Sequence, residues 1–200
     1  MHNAFLFPGQ GSQYVGMGED FYSNSEYAKE VYNNASDLLG FDLQEISFNG
    51  PDYILKQTQY TQPAIFVHSV IVDKFLKDKD IKPDAVAGHS LGEFSALVSA
   101  NVISFEDALK IIKVRSTEMA NAGKNSPGTM AAILGADDQQ IKIICKQDGV
   151  VVPANINAPG QIVISGELQA VENAINTAKE IGVRRALALT VSGAFHSSLM

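Results

Sequence analysis

The chain is almost without cysteine and has no tryptophan. Its single cysteine among 200 residues is Cys145. A single cysteine excludes an internal disulfide bond and fits a reducing cytoplasm, which is the location we expect. Cys145 follows an apolar helical stretch, where a free thiol is usually buried, so we predict that it is a core residue.

Positive charge is also scarce. The chain has 15 lysines and arginines against 22 acidic residues, which gives a formal net charge of −7. Binding to nucleic acid needs a basic surface, so we expect no nucleic-acid partner. The longest apolar run, at residues 64–72, is far shorter than the ~20 residues of a membrane-spanning helix. No signal peptide is visible either. We therefore expect no membrane partner and take a monomer as the default.

Hydrophobic residues, by contrast, are plentiful at 46%, which is enough for a buried core. In the first part of the chain, short apolar runs predict strands and a helical apolar period predicts helices. The strands are expected at residues 4–7 and 84–88, and the helices at 25–39, 63–77, 91–100 and 105 to about 121. Gly40 and Ser104 are predicted to be the C-cap of the first helix and the N-cap of the last.

After a composition change near residues 123–128, the pattern becomes strand, helix, strand, strand, helix, strand. The predicted strands lie at residues 129–134, 150–155, 161–165 and 184–189, and the helices at 137–147 and 168–181. This order is that of a ferredoxin-like unit. We predict an α/β fold: an α/β-hydrolase-like body with a parallel sheet over residues 1–124, and an inserted ferredoxin-like subdomain over 125–191. Residues 192–200 would return to the body, and the chain then stops in a loop, which suggests truncation.

The sequence Gly-His-Ser-Leu-Gly at residues 88–92 is a candidate nucleophile elbow. A Gly-x-Ser-x-Gly pattern gains weight when a strand precedes it and a helix follows it, as predicted here. The turn would lift Ser90 above the sheet, and the N-terminus of the next helix would offer N–H groups to an oxyanion. The alternative is that Ser90 is only the N-cap of that helix.

A serine nucleophile needs a base within hydrogen-bond reach, and the chain has four histidines. His2 is terminal, and His68 lies in an apolar helix and is expected to be a satisfied core residue. The side chain of His89 should point away from that of its neighbour Ser90. His196, in a loop rich in glycine and serine, is therefore the best candidate base by elimination.

Arg115 is one of only three arginines and falls on the apolar side of its helix. A buried arginine needs a partner, because an unpaired buried charge is costly. That partner could be a substrate carboxylate, which arginine can hold with two hydrogen bonds, or it could be Glu93 or Glu118 in a structural ion pair. The residues alone leave both readings open. The predicted apolar stripe consists of Ala108, Ile111, Ile112 and Met119.

Taken together and in order, these motifs resemble the malonyl-CoA:acyl-carrier-protein transacylase family of type II fatty acid synthesis. Matches extend along the whole chain. They are Phe-Pro-Gly-Gln-Gly-Ser-Gln at 7–13, Thr-Gln-Pro-Ala at 61–64, Gly-His-Ser-Leu-Gly-Glu-Phe at 88–94, Arg-Ser at 115–116, Asn-Ile-Asn-Ala-Pro-Gly-Gln at 155–161, and Val-Ser-Gly-Ala-Phe-His-Ser-Ser-Leu-Met at 191–200.

The resemblance implies a role for each matching residue. Ser90 would take the malonyl group from malonyl-CoA, with His196 as its general base, oriented by backbone carbonyls rather than by an acidic side chain. The backbone N–H groups of Gln10 and Leu91 would form the oxyanion hole. Arg115 would bind the malonyl carboxylate. Family members continue beyond the serines that follow the histidine.

Further residues match the family's substrate pocket: Gln62, His89 and Asn157. Phe195 resembles the bulky residue of malonyl-selective members, against which a larger substituent would clash. The resemblance implies no cofactor and no metal; the substrates would be malonyl-CoA and phosphopantetheinylated acyl carrier protein. Since this carrier is acidic, we predict that it docks on the densest basic cluster, which consists of Lys179, Arg184 and Arg185.

Other functions stay open. An esterase or thioesterase could use the same elbow with serine before histidine, but that reading leaves the loop at residues 9–13 and Arg115 without a role. An acyltransferase domain of polyketide type is a second possibility. A third is a truncated, inactive fragment that only binds the carrier protein.

Overall fold

The computed structural model describes residues 2–200 and divides the chain into two compact units. The first unit ends at Thr117, and the second spans Glu118–Met200. Across residues 2–200, no helix combines the length and the apolar character that a membrane crossing requires.

The first unit contains a parallel pair of strands, β1 (Ala4–Phe7) and β2 (Ala85–Gly88). Ala4 lies opposite Ala85 and Phe7 opposite Gly88, so both strands end at the same edge of the sheet. The loops that follow them therefore start side by side. The helices of this part are α1 (Glu19–Asn24), α2 (Glu26–Leu39), α3 (Leu43–Phe48), α4 (Asp52–Leu55), α5 (Thr58–Asp78), α6 (Gly92–Ser99) and α7 (Phe105–Asn125), which extends into the second unit.

Helix ends follow the capping residues that the sequence offers. The Ser25 side chain accepts a hydrogen bond from the N–H of Ala28 at the start of α2, and Gly40 ends that helix with a φ of 83°. At the start of α7, the Ser104 hydroxyl accepts a hydrogen bond from the N–H of Asp107 at 3.1 Å. Both predicted caps are therefore confirmed.

Helix α5 starts earlier than predicted. The prediction put its beginning at Pro63, where the apolar stretch starts. The helix instead begins at Thr58, and the N–H groups of Tyr60 and Thr61 bond to the carbonyl of Gln57. Pro63 consequently lies in the second turn, and the helix gains polar residues at its start.

The core of the first unit is built around α5, which is buried on several sides. Ala64, Ile65, Phe66 and Val67 follow one another and are each at most 1% exposed. His68 comes next and is only half-buried. The expectation that it is satisfied is wrong: its Nδ1 is buried and has no hydrogen-bond partner among residues 2–200. Burial lowers the pKa of this imidazole.

The predicted apolar stripe of α7 is wrong at one position. Ala108 and Ile112 are fully buried, but Ile111 is 45% exposed and Leu109 is buried instead. Each helical residue turns about 100° from the last, so Ile111 and Val114 face away from the core that Ala108 and Ile112 enter. Arg115 lies between these two sides and is half-buried.

The second unit contains a four-stranded sheet in the order β4-β5-β3-β6, in which every neighbouring pair is antiparallel. Its core includes Ile133, Ile144, Ile164 and Val171, each fully buried. The sequence order of its elements is the predicted alternation. They are β3 (Gly128–Leu134), α8 (Asp138–Ile144), β4 (Val151–Ala158), β5 (Gln161–Glu167), α9 (Leu168–Glu180) and β6 (Arg185–Ala188).

Two features of this unit differ from the sequence-based expectation. The compact units meet before the predicted boundary at 124, and residues 192–200 fall within the second unit. The reason is close packing: a Cβ added to Gly123 would lie 2.1 Å from the Ser192 oxygen, and one added to Gly128 would lie 2.6 Å from the Cβ of Ala194. Cys145, at the end of α8, is half-buried rather than fully buried, and its burial raises the pKa of the thiol to about 11.

Candidate active site

The turn between β2 and α6 has the strand–turn–helix context that the elbow motif requires. The His89 N–H donates to the Phe7 oxygen at 3.0 Å, and the Gly92 N–H donates to the His89 oxygen at 3.0 Å. Ser90 itself has a φ of 53°, in the left-handed region that non-glycine residues rarely occupy. Such strain is typical of functional turns, and here it falls on the predicted nucleophile.

The two glycines of the motif permit very close backbone packing. A Cβ on Gly88 would lie 2.0 Å from the carbonyl carbon of Gly92, and a Cβ on Gly92 would lie 2.1 Å from the Phe7 oxygen. Leu91, rather than Ser90, is the N-cap of α6. The alternative that Ser90 is a mere N-cap is therefore wrong.

Arg115 contacts the nucleophile candidate directly. Its Nη2 donates a hydrogen bond to Ser90 Oγ at 3.0 Å, and its Nη1 donates to Gln62 Oε1 at 2.5 Å. The guanidinium carbon lies 5.9 Å from the centroid of the Phe94 ring. Burial lowers the pKa of Arg115, and the charge of Glu93 acts against that decrease.

The structural ion pair that the sequence left open for Arg115 is absent. Over residues 2–200, neither Glu93 nor Glu118 forms a salt bridge with the guanidinium. Arg115 is instead held by a neutral amide and a hydroxyl. Its positive charge thus remains available beside Ser90.

The glycine-rich loop after β1 packs on the elbow. A Cβ on Gly9 would lie 2.6 Å from the His89 oxygen, so the two loops touch through their backbones. The Gln10 side chain donates from Nε2 to Thr58 Oγ1 at 3.2 Å. Within the described part of the chain, the backbone N–H groups of Gln10 and Leu91 donate no hydrogen bond. Both donors are thus available to an acceptor that binds beside the elbow.

The remaining predicted site residues belong to the second unit. His196 is exposed, has a φ of 61°, and follows the buried residues Ala194 and Phe195. The Ser197 hydroxyl donates to the Ala194 oxygen at 2.7 Å and so holds this loop in a turn. Asn157 is exposed in β4.

The three basic residues of the predicted docking cluster are also exposed. Lys179 lies in the last turn of α9, Arg184 directly precedes β6, and Arg185 is its first residue. Between them the chain turns through Gly182, which has a φ of 77°. The short connection keeps all three cations at one end of the helix–strand unit.

The structure therefore joins Ser90, Arg115 and Gln62 in one hydrogen-bonded group. It also reveals Thr58 and Phe94, which sequence reasoning missed. Thr58 could have been found from its position four residues before Gln62, on the same side of a helix, once the helix was extended past Pro63. Phe94 carried no signal beyond its place in the elbow motif.

Comparisons with known proteins agree with this geometry. A family model described as "Acyl transferase domain" matches residues 4–200. A malonyl CoA-acyl carrier protein transacylase of Staphylococcus aureus (strain MRSA252) is 45% identical over 98% of this chain and 65% of its own length. The protein of the same name from Bacillus subtilis (strain 168) is 45% identical over 98% of this chain and 63% of its own. The chain thus spans a little less than two thirds of the length of these curated relatives.

Solved structures give the same result. The malonyl CoA-acyl carrier protein transacylase of Clostridium perfringens matches with a TM-score of 0.92 and 44% identity, over 100% of this chain and 64% of that one. A malonyl-transacylase in complex with its type II PKS acyl-carrier protein matches with a TM-score of 0.94 and 41% identity, over 100% of this chain and 66% of that one. With a strained serine elbow in place and the family model matched along nearly the whole sequence, the chain belongs to the acyl transferase domain family.

Proposed function

We propose that the protein transfers the malonyl group of malonyl-CoA to the phosphopantetheine thiol of acyl carrier protein, through a malonyl ester on Ser90. The observation that carries this proposal is the 3.0 Å hydrogen bond between Arg115 Nη2 and Ser90 Oγ. It places a group suited to a carboxylate directly beside a group suited to attack a thioester.

The short distance also bears on which acyl group fits. A carboxylate bound by Arg115 would lie about 2.7–2.9 Å from its nitrogens. The carbon attacked by Ser90 must come within about 3–3.5 Å of Oγ. Since the two protein atoms are themselves in contact, the carboxylate and the thioester carbonyl must be close together in the acyl group. Malonyl, with a single carbon between them, meets that requirement better than a longer diacid.

The chemistry proceeds in two half-reactions. His196 takes the proton of the Ser90 hydroxyl while Oγ bonds to the malonyl carbonyl carbon; the carbon–sulfur bond then breaks, and CoA leaves as a thiol with that proton. In the second half, His196 takes the proton of the carrier's thiol while the sulfur bonds to the same carbon; the ester carbon–oxygen bond then breaks, and Ser90 regains that proton from His196. The reaction is therefore ping-pong in form.

The oxyanion that forms in each half-reaction needs fixed donors. We assign them to the backbone N–H groups of Gln10 and Leu91, which donate to no other described residue. Leu91 is the N-cap of α6, so the positive end of the helix dipole adds to the stabilisation. Removing one donor of this kind typically costs about 10²–10³ in rate.

We also propose the finer description of the fold. The elbow between a parallel strand and a helix supports an α/β-hydrolase-like body in the first unit. The ferredoxin-like subdomain at 125–191 is supported by the β3-α8-β4-β5-α9-β6 order and by the sheet order β4-β5-β3-β6. Location in the cytoplasm and a monomeric state stay predictions.

Trapping the acyl-enzyme tests the proposed function. The chain is mixed with malonyl-CoA, quenched in acid and digested, and mass spectrometry should find malonyl on the peptide that contains Ser90. Ser90→Ala should carry none. Malonyl on other serines only, or none at all, would contradict the proposal. In the second case, retained binding of carrier protein would favour a binding fragment, and hydrolysis of simple esters without transfer to a thiol would favour an esterase.

A second candidate acceptor has one observation in its favour. One matched structure is a malonyl-transacylase bound to a type II PKS acyl-carrier protein. Polyketide synthesis could therefore use the same transfer. Offering the trapped malonyl-enzyme a fatty-acid carrier and a polyketide carrier at equal concentrations would show which is acylated faster.

A further inference from the structure

Gln62 binds one terminal nitrogen of the Arg115 guanidinium. Its side chain lies on α5 and is fully buried, at 0% exposure. Its Oε1 accepts a hydrogen bond of 2.5 Å from Arg115 Nη1, while the other terminal nitrogen of the guanidinium reaches Ser90. The guanidinium is planar and rigid, so fixing one nitrogen restricts where the others can point.

The same face of α5 also contacts the glycine-rich loop after β1, which contains Gln10. Thr58 precedes Gln62 by four residues, so the two side chains share one side of the helix. Thr58 is 1% exposed and accepts the hydrogen bond from the side chain of Gln10. A buried, rigid helix therefore holds both the loop and the arginine in place.

The buried carboxylate of Asp73, unlike the guanidinium of Arg115, is paired with an opposite charge. Asp73, further along α5, is 7% exposed and forms a 2.8 Å ion pair with Lys77. It also accepts a hydrogen bond from the Ser99 hydroxyl at 2.6 Å. Where a charge serves structure, the protein neutralises it, as the cost of burying an isolated charge demands.

Arg115 forms no direct ion pair with any side chain of residues 2–200. Its anchor is an amide, which accepts a hydrogen bond without removing the positive charge. A glutamate has nearly the same shape as a glutamine and would hold the guanidinium more strongly. It would also cancel the charge that a substrate carboxylate needs.

We propose that Gln62 is a positioning residue that determines specificity: it aims Arg115 at Ser90 while leaving the guanidinium charge for the substrate. This inference rests on the proposed function, because it takes the carboxylate of the acyl group as the ligand of Arg115. It assigns selectivity for carboxylated acyl groups to a neutral side chain that acts through Arg115.

Three substitutions in the 200-residue chain test this role. Gln62→Glu keeps the shape and cancels the charge, and Gln62→Met keeps the bulk and removes the acceptor. Gln59→Glu is the matched control, since it adds the same charge to the same helix at a partly exposed site whose amide contacts Gln57. Binding of free malonate is measured by calorimetry. Acylation of Ser90 is measured with malonyl-CoA and, separately, with acetyl-CoA.

We expect Gln62→Glu to raise the Kd for malonate about tenfold or more, the range that one charge-assisted hydrogen bond accounts for. Acylation by malonyl-CoA should fall by a similar factor through KM, and acylation by acetyl-CoA should change less than about threefold. Gln62→Met should have a smaller effect on malonate, about threefold to tenfold. Gln59→Glu should stay within about twofold of the unsubstituted chain for both substrates.

Other outcomes separate this inference from the proposed function. Unchanged malonate affinity in Gln62→Glu would overturn the role of Gln62, and so would equal losses with malonyl-CoA and acetyl-CoA. If no malonyl-Ser90 forms but malonate binds and responds to Gln62→Glu, the transfer reaction fails while the positioning role holds. If the unsubstituted chain binds no malonate and forms no ester, both are wrong.

Discussion

The two compact units support their site residues in different ways. In the first unit, Ser90, Gln62 and Arg115 are held by hydrogen bonds to one another and by glycines that bring backbones into contact. In the second unit, Asn157 and His196 are exposed side chains on a sheet strand and a surface turn. The hydrogen-bonded group proposed to bind the acyl group therefore lies within one unit, whereas the proposed base and the predicted carrier-docking residues are exposed in the other.

The strongest test of this difference between the units adds one methyl group to one glycine in each of them. A Cβ on Gly92 would lie 2.1 Å from the Phe7 oxygen. The atoms that it meets all belong to the backbone, so no side-chain movement can relieve the clash. We expect Gly92→Ala to lower the free energy of unfolding by about 3 kcal/mol or more and to abolish acylation of Ser90.

The matched change in the second unit is Gly193→Ala. Its added Cβ would lie 3.1 Å from the Cα of Gly123 and 3.3 Å from the flexible end of Met200. A shift of a few tenths of an ångström would relieve that contact, so we expect a loss of about 1 kcal/mol. Urea denaturation followed by circular dichroism compares the two variants. Equal losses, or a larger loss for Gly193→Ala, would contradict the view that the elbow is the more tightly built loop.

Removing the arginine sharpens the comparison without disturbing the backbone. Arg115→Ala should reduce malonyl transfer by about a hundredfold, because a charge-assisted pair of hydrogen bonds to the carboxylate is lost. Acetyl transfer has no carboxylate to lose and should fall by less than about tenfold. Acylation rates with malonyl-CoA and acetyl-CoA give the ratio. Equal losses for both acyl groups would refute a carboxylate-binding role.

The secondary structure of the second unit was predictable because its elements are long enough to show a period. Short apolar runs mark β3 and β5, and a helical period marks α9. Three helices of the first unit, α1, α3 and α4, have only six, six and four residues. So short a helix completes too few turns to show a period, and it owes its stability to tertiary packing.

The site was predictable at the residues whose chemistry is unusual for their position. A serine between two glycines and an arginine on an apolar face are conspicuous in the sequence alone. The hydrogen bond between Gln62 and Arg115 was not predictable, because the two residues lie on different helices and 53 positions apart. Hydrophobic periodicity gives the inward side of each helix, but it does not say which inward residues of two helices meet.

The smallest expected effect concerns the surface of the second unit. Reversing the charges of Arg184 and Arg185 to glutamate should raise the KM for acyl carrier protein by about threefold to tenfold, since exposed charges mainly steer association. The effect should shrink as salt is added, because screening weakens interactions between exposed charges. Acylation of Ser90 by malonyl-CoA should be unchanged.

Reversal of Lys142 and Lys146, two exposed lysines of the same unit, is the matched control. A similar rise in the control would show that net charge, rather than this cluster, attracts the carrier, and equal losses in both half-reactions would contradict a docking role altogether.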